Sequence, residues 1–552
     1  MAGFHDKVVY QIYPNSFRDS NGDGLGDLRG VIEKLDYLAK LGVDYLWLTP
    51  FFVSPQKDNG YDVADYLAID PRFGTMADFD ELVKAAGDRG VKIMLDMVLC
   101  HTSDQHEWFQ RALAGDKTFQ AYYILRDGRH KKSEEDPGEP PTNWQCAFGG
   151  SAWEWEPRLG KWYLHLHDVS QPDLDWTNPQ VREELARVVR FWKERGVAGF
   201  RFDVINLIAK PEIFADDTKG LGRRLFADGP HIHEYLQELV EKAGLADMMT
   251  VGEMASTDLQ NCIRYSRPAD KELSMVFSFH HLKVDYKDGD KWQLMPPDIG
   301  ALKQLFAKWQ EGMEAGGGWN AVFWCNHDQP RAVSRFGEDG ALRKVSAKML
   351  GACIHLMRGT PYIYQGEEIG ITNAGYKSIE EYRDVESLNY YEILRREGKS
   401  DQEALAVLAA RSRDNSRTPM QWSAAEYAGF SETEPWLLPP KNYQQINVEA
   451  ELQQDDSLFA FYQQLIRLRH EMPLIAEGSI SFLERETDNV IAYQRELGVE
   501  KLLVFCNFSG QQAALQEKPL QEYLAEGFVK MLGNYEGVEE QLRPFEVVVL
   551  RA

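Results

Sequence analysis

The stretch Gly199-Phe200-Arg201-Phe202-Asp203-Val204 is an apolar run that ends on a carboxylate. Fifty residues later, Thr250-Val251-Gly252-Glu253-Met254 repeats this arrangement. Each stretch is typical of a buried parallel strand whose C-terminal end carries an acidic side chain. Hydrolysis of a glycosidic bond requires two such carboxylates, one to attack the anomeric carbon and one to protonate the departing oxygen. The pair therefore predicts a glycosidase.

Short strand-like runs alternate with amphipathic segments on both sides of this pair. The predicted strands are 8–17, 43–50, 91–99, 199–205, 248–254, 273–279, 320–326 and 361–369. The predicted helices are 31–41, 76–90, 181–196, 231–243, 299–312 and 342–356. Eight strands in βα alternation predict an α/β fold, a (β/α)₈ TIM barrel.

Two parts of the chain leave this alternation, which divides it into three predicted domains. The barrel comprises residues 1–101 and 176–478. Residues 102–175 form a subdomain inserted after the third strand, with a mobile polar stretch at 131–141. Residues 479–552 turn all-β and predict a C-terminal antiparallel β-sandwich domain.

Composition limits the partners of the protein. The chain has 552 residues, a formal net charge of −25 and 12% aromatic residues. Such a charge argues against nucleic acid, which needs a basic surface. The N-terminus shows no signal sequence, no run is long enough to span a membrane, and the six cysteines lack metal-type spacing. We expect a cytoplasmic protein, a monomer, that binds a small molecule and neither nucleic acid nor membrane.

Polar side chains gather at four of the predicted strand ends. They are Asp96 with His101, Arg201 with Asp203, Glu253, and His327 with Asp328. The C-terminal ends of the strands form the active face of such barrels. Four charged strand ends on that face favour an active site over separate structural ion pairs.

These segments resemble the signature regions of the α-amylase family, glycoside hydrolase family 13. The regions correspond to 96–101, 199–203, 251–253 and 326–328, and 171–175 resembles a region typical of the oligo-1,6-glucosidase branch. One position departs from the pattern, because the family usually has Asn where Cys100 stands. The thiol removes a hydrogen-bonding amide, which leaves open how His101 and its loop are held.

The resemblance implies a role for each matching residue. Asp203 would be the nucleophile of a retaining reaction, Glu253 the acid and then the base, and Arg201 the group that keeps Asp203 ionised. Asp328 would bind ring hydroxyls of the sugar that is cleaved. His101 and His327 would donate to the same sugar, and Asp96 would support the site.

Two further motifs resemble those of exo-acting members. They are Asn59-Gly60-Tyr61-Asp62 and the segment 412–422, which contains Arg417. In such members the Asp and Arg close a pocket over the non-reducing end, so one glucose is released per event, and Tyr61 lines the pocket. Val204, directly after the nucleophile, resembles branches that cut α-1,6 or α-1,1 bonds.

The loop 19–27 is a second chemical signal. Its oxygen-bearing side chains alternate, as in the first half of a calcium-binding loop, with a glycine at the sixth position. The resemblance implies structural Ca²⁺, or Mg²⁺, bound by Asp19, Asn21, Asp23, the carbonyl of Leu25, and Asp27. A polar turn without metal is the alternative.

Within the family, the stretches 228–234, 254–257, 278–286 and 324–331 most resemble members that hydrolyse trehalose 6-phosphate, an α,α-1,1-linked disaccharide. A dianionic substrate on a protein of charge −25 needs cations aimed at it. His281, Lys283 and Lys291 are predicted to bind the phosphate, and Arg331 is added to the substrate-binding residues.

Three alternatives stay open. A glucosidase for neutral isomalto-oligosaccharides is compatible with Val204, although the basic loop argues against it. A sugar isomerase or transglycosylase would need an Arg-rich aromatic clamp, which 331–337 does not match well. A non-enzymatic barrel subunit would have lost the nucleophile or the acid, and this chain keeps both.

Overall fold

The computed structural model describes residues 3–133 and 136–552. Its largest sheet has eight strands, all paired in parallel in the order β6-β5-β4-β3-β2-β1-β8-β7. A parallel bridge between Val276 and Asn320 joins the two ends of the sheet. The predicted barrel is confirmed. Its strands are β1 (Val9–Ile12), β2 (Tyr45–Leu48), β3 (Lys92–Met97), β4 (Gly199–Phe202), β5 (Met249–Met254), β6 (Met275–Ser278), β7 (Ala321–Val322) and β8 (Thr360–Tyr364).

Helices surround this sheet. Those that follow the successive barrel strands are Leu28–Glu33, Leu35–Leu41, Met76–Gly87, Pro179–Glu194, Ile232–Ala243, Leu259–Ser266, Ile299–Gly316, Arg343–His355 and Leu458–Glu471. The remaining α-helices are Glu107–Leu113, Lys117–Gln120, Arg223–Phe226, Ala332–Phe336, Val385–Arg396, Asp401–Arg411, Asp414–Arg417, Val448–Leu452, Pro473–Glu477 and Leu520–Ala525. The predicted helix 31–41 is two helices, because Lys34 leaves the helical region at ψ 7°.

Side-chain alternation along the strands decides what reaches the site. Successive side chains of a strand point to opposite faces. On β4, Phe200 and Phe202 pack outward against the helices. Arg201 therefore points into the barrel, where Trp47 and Val251 fill the interior. The apolar run brings its one charged residue to the centre of the barrel end.

The segment between β3 and helix Pro179–Glu194 carries its own small antiparallel sheet. Its strands are Leu125–Arg126, Trp153–Glu156 and Lys161–Leu164. An antiparallel bridge between His101 and Asp173 joins the return of this segment to the end of β3. The predicted mobile stretch 131–141 includes residues 134 and 135, which lie outside the described residues. A two-stranded sheet, Phe52–Val53 with Asp65–Ile69, follows β2.

The C-terminal antiparallel domain is also confirmed, with one correction. Its strands are Ser479–Leu483, Val490–Leu497, Glu500–Asn507, Val529–Gly533 and Val547–Arg551. In the described chain they form one sheet rather than the two facing sheets of a sandwich. One face packs on the barrel helices through residues such as Val504, and Leu520 and Leu542 help to cover the other. A helix and loops therefore take the place of the second sheet.

No helix in the described ranges is long and apolar enough to cross a membrane. All six cysteines are free and buried.

Candidate active site

The guanidinium of Arg201 joins the two predicted catalytic carboxylates. Its Nη1 donates to Asp203 Oδ1 at 2.6 Å, and its Nη2 contacts Glu253 Oε2. Burial alone would lower the pKa of Arg201, but the charges of Asp96 and Asp203 outweigh it and raise the pKa. Because β4 and β5 pair with Arg201 beside Val251, the strands hold both carboxylates around one cation.

Asp96 lies behind this pair. Its Oδ1 accepts from Arg201 Nη1 at 2.7 Å, and its Oδ2 accepts from Trp47 Nε1 at 3.1 Å and from the hydroxyl of Tyr61 at 3.0 Å. Burial raises the pKa of Asp96 to about 7, against the opposing charge of Arg201. Asp96 thus orients the arginine that contacts Asp203, and it does so from outside the cavity.

A cavity of about 800 Å³ opens above these strand ends. The predicted site residues that line it are Asp203, Glu253, Asp328, Tyr61, His101, Lys283 and Lys291. Such a volume suits a disaccharide, since ligand pockets generally measure about 300–1,000 Å³. The structure therefore brings together the predicted catalytic residues and the predicted basic residues, which come from separate parts of the chain.

Asp328 is held from behind by two arginines. Arg417 Nη2 lies 2.7 Å from Asp328 Oδ1, and Arg413 Nη1 lies 3.3 Å from the same oxygen. Burial would raise the pKa of Asp328, but His327, Arg413 and Arg417 lower it well below its usual range. His327 is itself fixed by Gln11, whose Nε2 lies 2.8 Å from Nδ1 of the ring. Asp328 is therefore ionised and held in place by its neighbours, so it can accept hydrogen bonds from sugar hydroxyls.

The predicted pocket-closing pair, Asp62 and Arg417, is not the pair that faces the cavity. Asp58 and Arg413 line it instead, with Arg413 Nη2 3.1 Å from Asp58 Oδ1. The side chain of Asp62 is buried and accepts from Ser54 Oγ at 2.9 Å and from two backbone N–H groups. Arg417 is buried behind Asp328. The pair that faces the cavity thus lies four residues N-terminal to the predicted pair.

Backbone geometry explains this shift. Asn59 and Gly60 both have positive φ, 49° and 100°, so the chain reverses between Asp58 and Asp62. The carboxylate of Asp58 then faces the cavity, and that of Asp62 accepts hydrogen bonds from backbone N–H groups of the turn. The sequence showed two aspartates four residues apart and carried no signal for which of them would face the sugar.

Basic side chains line the side of the cavity formed by the loops after β4 and β6. They are Arg223, Arg224, Lys283 and Lys291. Arg224 pairs with Asp217 and Lys291 Nζ lies 2.6 Å from Glu386 Oε2. Burial and then the charge of Arg223 lower the pKa of Lys283, and no carboxylate of the described chain offsets that effect.

The sequence had not indicated Arg223, although Arg223-Arg224 is a pair of basic residues in a glycine-containing loop. Two of the predicted basic contacts lie elsewhere. His281 is buried, with Nε2 2.8 Å from the carbonyl oxygen of Phe323, and burial lowers its pKa to about 4. Arg331 is also buried and donates to the carbonyls of Gln365 and Ser416. Neither lines the cavity, so both assignments to substrate binding are corrected.

The thiol of Cys100 joins a buried ion pair. It donates to Asp173 Oδ1 at 3.3 Å, and Lys210 Nζ lies 2.7 Å from the same oxygen. Burial raises the pKa of Cys100, so it is a thiol and not a thiolate. The backbone N–H of Leu174 donates to the carbonyl of Cys100 at 2.9 Å, which ties the loop of His101 to the inserted segment. The loop is therefore held without the amide that the family usually has.

Val204 adopts an unusual backbone conformation directly after the nucleophile. Its φ is 34° and its ψ 41°, in the left-handed region that β-branched residues rarely enter. Such strain costs on the order of 1–3 kcal/mol and persists where the surroundings enforce it. The side chain lines the cavity beside Asp203.

The predicted metal loop has suitable donors, but its carboxylates face its own backbone. Asp19 accepts from the N–H groups of Asn21, Gly22 and Gly24, and Asp27 accepts from Ser20 and Gly30. Burial would raise the pKa of Asp19, but the hydrogen bonds from Ser431 and from the N–H groups of Gly24, Gly22 and Asn21 lower it. In the ranges 3–133 and 136–552, no three His, Cys, Asp or Glu side chains are gathered as ligands of one ion. The oxygen donors fit a hard cation chemically, whereas their arrangement is that of a closed turn.

Comparison with known proteins agrees with this geometry. The family described as "Alpha amylase, catalytic domain" matches residues 11–478. A trehalose-6-phosphate hydrolase of Bacillus subtilis (strain 168) is 51% identical over 550 residues, which are 99% of this chain and 97% of that protein. An oligo-1,6-glucosidase of Bacillus cereus is 44% identical over 560 residues, covering 99% and 98% of the two chains.

A solved structure extends the similarity to three dimensions. The crystal structure of the trehalose-6-phosphate hydrolase of Bacillus licheniformis superposes with a TM-score of 0.93 at 47% sequence identity. The match covers 100% of this chain and 99% of the other. The similarity therefore includes the inserted segment and the C-terminal sheet as well as the barrel.

Proposed function

This chain belongs to the α-amylase family and is a glycoside hydrolase, and on that basis we propose that it hydrolyses trehalose 6-phosphate to glucose and glucose 6-phosphate. The assignment of the substrate rests on three basic side chains, Arg223, Lys283 and Lys291. They line the same cavity as Asp203 and Glu253. A protein of net charge −25 repels anions at long range. A cluster of cations in its catalytic cavity therefore favours an anionic substrate.

The catalytic steps follow from the two carboxylates. Asp203 attacks the anomeric carbon of the unphosphorylated glucose, and Glu253 gives its proton to the oxygen of the departing glucose 6-phosphate. Glu253 then takes a proton from water, which attacks the same carbon and releases glucose from Asp203. Two displacements retain the configuration. Arg201 keeps the nucleophile ionised, because it remains a cation and donates to Asp203 Oδ1.

The two ends of the substrate would meet different chemistry. Asp58, Arg413 and Asp328 form a polar, charged end suited to the hydroxyl groups of one glucose. Arg223 and Lys283 line the cavity on the side formed by the loops after β4 and β6, and both side chains can donate charge-assisted hydrogen bonds to a phosphate on the second sugar. Lys291 is already paired with Glu386 and contributes less free charge. The asymmetry favours a disaccharide phosphorylated on one side only.

A neutral isomalto-oligosaccharide is the second candidate. The 44% identity to an oligo-1,6-glucosidase and the Val204 that lines the cavity both favour it. The Lys291–Glu386 pair would also suit a neutral sugar, because it presents a donor and an acceptor with no net charge. Arg223 and Lys283 have no evident use in that reaction.

One assay tests the proposal. The protein is incubated with trehalose 6-phosphate, and glucose and glucose 6-phosphate are measured together, with the Asp203→Asn variant as the inactive control. Equimolar products are expected, at a higher kcat/KM than for isomaltose. Efficient cleavage of isomaltose without release of glucose 6-phosphate would establish the second candidate instead.

We also propose that the loop 19–27 takes up Ca²⁺ as a structural ion. Asp19, Asn21, Asp23, the carbonyl of Leu25 and Asp27 are the hard oxygen donors that Ca²⁺ prefers. The loop follows β1, and Ser431 Oγ donates to Asp19 Oδ2 at 2.6 Å, so an ion there would stabilise this contact. It has no part in the catalytic steps.

For the setting of the reaction, we propose a monomer in the cytoplasm. Six free, buried thiols suit a reducing compartment.

A further inference from the structure

His167 lines the catalytic cavity and has no role in the steps described above. It follows the strand Lys161–Leu164 of the inserted segment. Its ring centroid lies 5.1 Å from that of His101 and 6.0 Å from that of Phe148. The sequence had not indicated it.

The ring of His167 lacks a protein partner. Within the described chain, its Nδ1 is shut off from water and has no hydrogen-bond partner. The contact to His165 Nδ1, at 3.3 Å, uses the backbone carbonyl of His167 and not its ring. An unsatisfied buried polar atom is costly and rare in native proteins. The other ring nitrogen, Nε2, also makes no hydrogen bond within the described residues, but it is not shut off from solvent. It is therefore the nitrogen that a substrate hydroxyl in the cavity can bond.

The protonation state fits such a contact. Burial, and then the neighbouring His101, lower the pKa of His167 to about 3. The ring is therefore neutral at working pH, with one N–H donor and one acceptor nitrogen. A sugar hydroxyl is also both donor and acceptor, so either tautomer can bond it.

The surroundings of His167 indicate which part of the sugar it meets. Phe148 beside it lies under the guanidinium of Arg413, 4.9 Å from the ring centroid. Arg413 pairs with Asp58, which also accepts from Gln171 Nε2 at 3.1 Å. Under the function proposed above, on which this inference rests, this end of the cavity receives the non-reducing glucose. The hydroxyls at that end of a glucose unit, away from its anomeric carbon, are those at C4 and C6.

We propose that His167 hydrogen-bonds the C4 or C6 hydroxyl of the glucose that is cleaved, and so determines specificity for an unmodified glucose at this position. The contact does not depend on the phosphorylated half of the substrate. It can therefore be measured on a simple aryl α-glucoside.

The test combines a change in the enzyme with a change in the substrate, as in a double-mutant cycle. kcat/KM is measured for p-nitrophenyl α-glucoside and for its 3-, 4- and 6-deoxy analogues, with the unaltered enzyme, His167→Phe and His167→Asn. One neutral hydrogen bond corresponds to about a threefold to tenfold loss. We expect that loss for His167→Phe on the parent glucoside, and less than a twofold loss on the 4-deoxy or the 6-deoxy analogue. His167→Asn should recover part of the parent activity.

The control is His355, a buried histidine outside the cavity whose two ring nitrogens also lack partners in the described chain. His355→Asn should change kcat/KM by one factor on all four substrates. The proposal is overturned if His167→Phe also lowers kcat/KM by one factor on all four, or if the loss disappears on the 3-deoxy analogue alone. Failure to cleave any aryl α-glucoside would instead contradict the proposed α-glucosidase activity, so the two failures are distinguishable.

Discussion

Arg413 Nη2 lies 3.1 Å from Asp58 Oδ1, and the two side chains together form one end of the catalytic cavity. The same guanidinium also reaches Asp384 and Asp328. With Glu386, whose Oε2 lies 3.6 Å from Nε of Arg413, four carboxylates surround one buried cation and form a rigid network. A sugar that bonds Asp58 or Asp328 therefore meets groups that are already in place and need little reorganisation.

This pair gives the first prediction. Asp58→Asn should lower kcat/KM by on the order of 100-fold on phosphorylated and neutral glucosides alike, because it removes a charged acceptor and leaves part of the charge of Arg413 unpaired. Steady-state kinetics on both substrates measures it.

Asp62→Asn is the matched control for this prediction. It should lower the melting temperature, since Asp62 accepts three hydrogen bonds in its turn, and leave kcat/KM within about threefold. The opposite pattern, with Asp62 essential and Asp58 dispensable, would restore the pair first predicted from the sequence.

The second prediction concerns the phosphate. Lys283→Ala and Arg223→Ala should each raise KM for trehalose 6-phosphate by about 10- to 100-fold, as expected for loss of a charge-assisted hydrogen bond. Hydrolysis of p-nitrophenyl α-glucoside should stay nearly unchanged. Parallel KM measurements on the two substrates check it.

Lys287→Ala is the control for these variants, because Lys287 is exposed on the same loop and does not line the cavity. It should behave like the unaltered enzyme on both substrates. An equal loss on the phosphorylated and the aryl substrate for Lys283→Ala would mean that the lysine supports the loop and not the phosphate.

The third prediction concerns stability against pH. Burial raises the pKa of Glu367 from 4.5 to about 7, although Tyr462 donates to its Oε1 at 2.8 Å. Between these values the unfolded chain has released the proton and the folded chain still holds it. The contribution of Glu367 to stability is therefore full below pH 4.5 and is lost as the pH rises through 7.

Glu367→Gln should remove this dependence. Relative to the unaltered protein, the variant should gain on the order of 3 kcal/mol between pH 4.5 and 8. Melting temperatures across that range measure the difference, and the exposed Glu432→Gln should show no such trend. A constant offset between Glu367→Gln and the unaltered protein would show that the folded pKa is not raised.

The fourth prediction concerns the loop 19–27. Treatment with a chelator should lower the melting temperature by several degrees, and Ca²⁺ should restore it, because an ion bound only to the folded state stabilises that state. Asp23→Ala should abolish the response while kcat stays close to its original value. Elemental analysis showing no bound divalent ion in protein prepared without chelator would contradict the calcium proposal.

The sequence predicted the barrel well because its signals are periodic and local. All eight strands were found from apolar runs, although their bounds were two or more residues too wide in most cases, since buried apolar side chains continue past the last paired residue. The helices Val385–Arg396 and Asp401–Arg411 were missed. They follow the eighth strand, where the βα count had ended.

The site was predictable where a residue sits on a strand, and less so where it sits on a turn. Arg201, Asp203 and Glu253 follow from strand alternation and register. The choice between Asp58 and Asp62 depends on positive φ at Asn59 and Gly60, which no periodicity encodes. His281 lies only two residues from Lys283, yet it faces the core, because both belong to the short 3₁₀ segment His280–Lys283, in which residues two apart point in different directions.

The number of paired residues between neighbouring strands differs around the barrel. Most neighbouring barrel strands share several register pairs, but β7 has two residues and meets β6 through one isolated bridge. Asp203 directly follows β4 and Glu253 belongs to β5, and these two strands share four register pairs. Lys283 and Lys291 follow β6, next to this β6–β7 junction, which has the fewest paired residues. Substitutions near β6 and β7 can therefore change which leaving sugar the enzyme accepts without moving Asp203 or Glu253. Substrate specificity is thus expected to diverge faster than the catalytic mechanism.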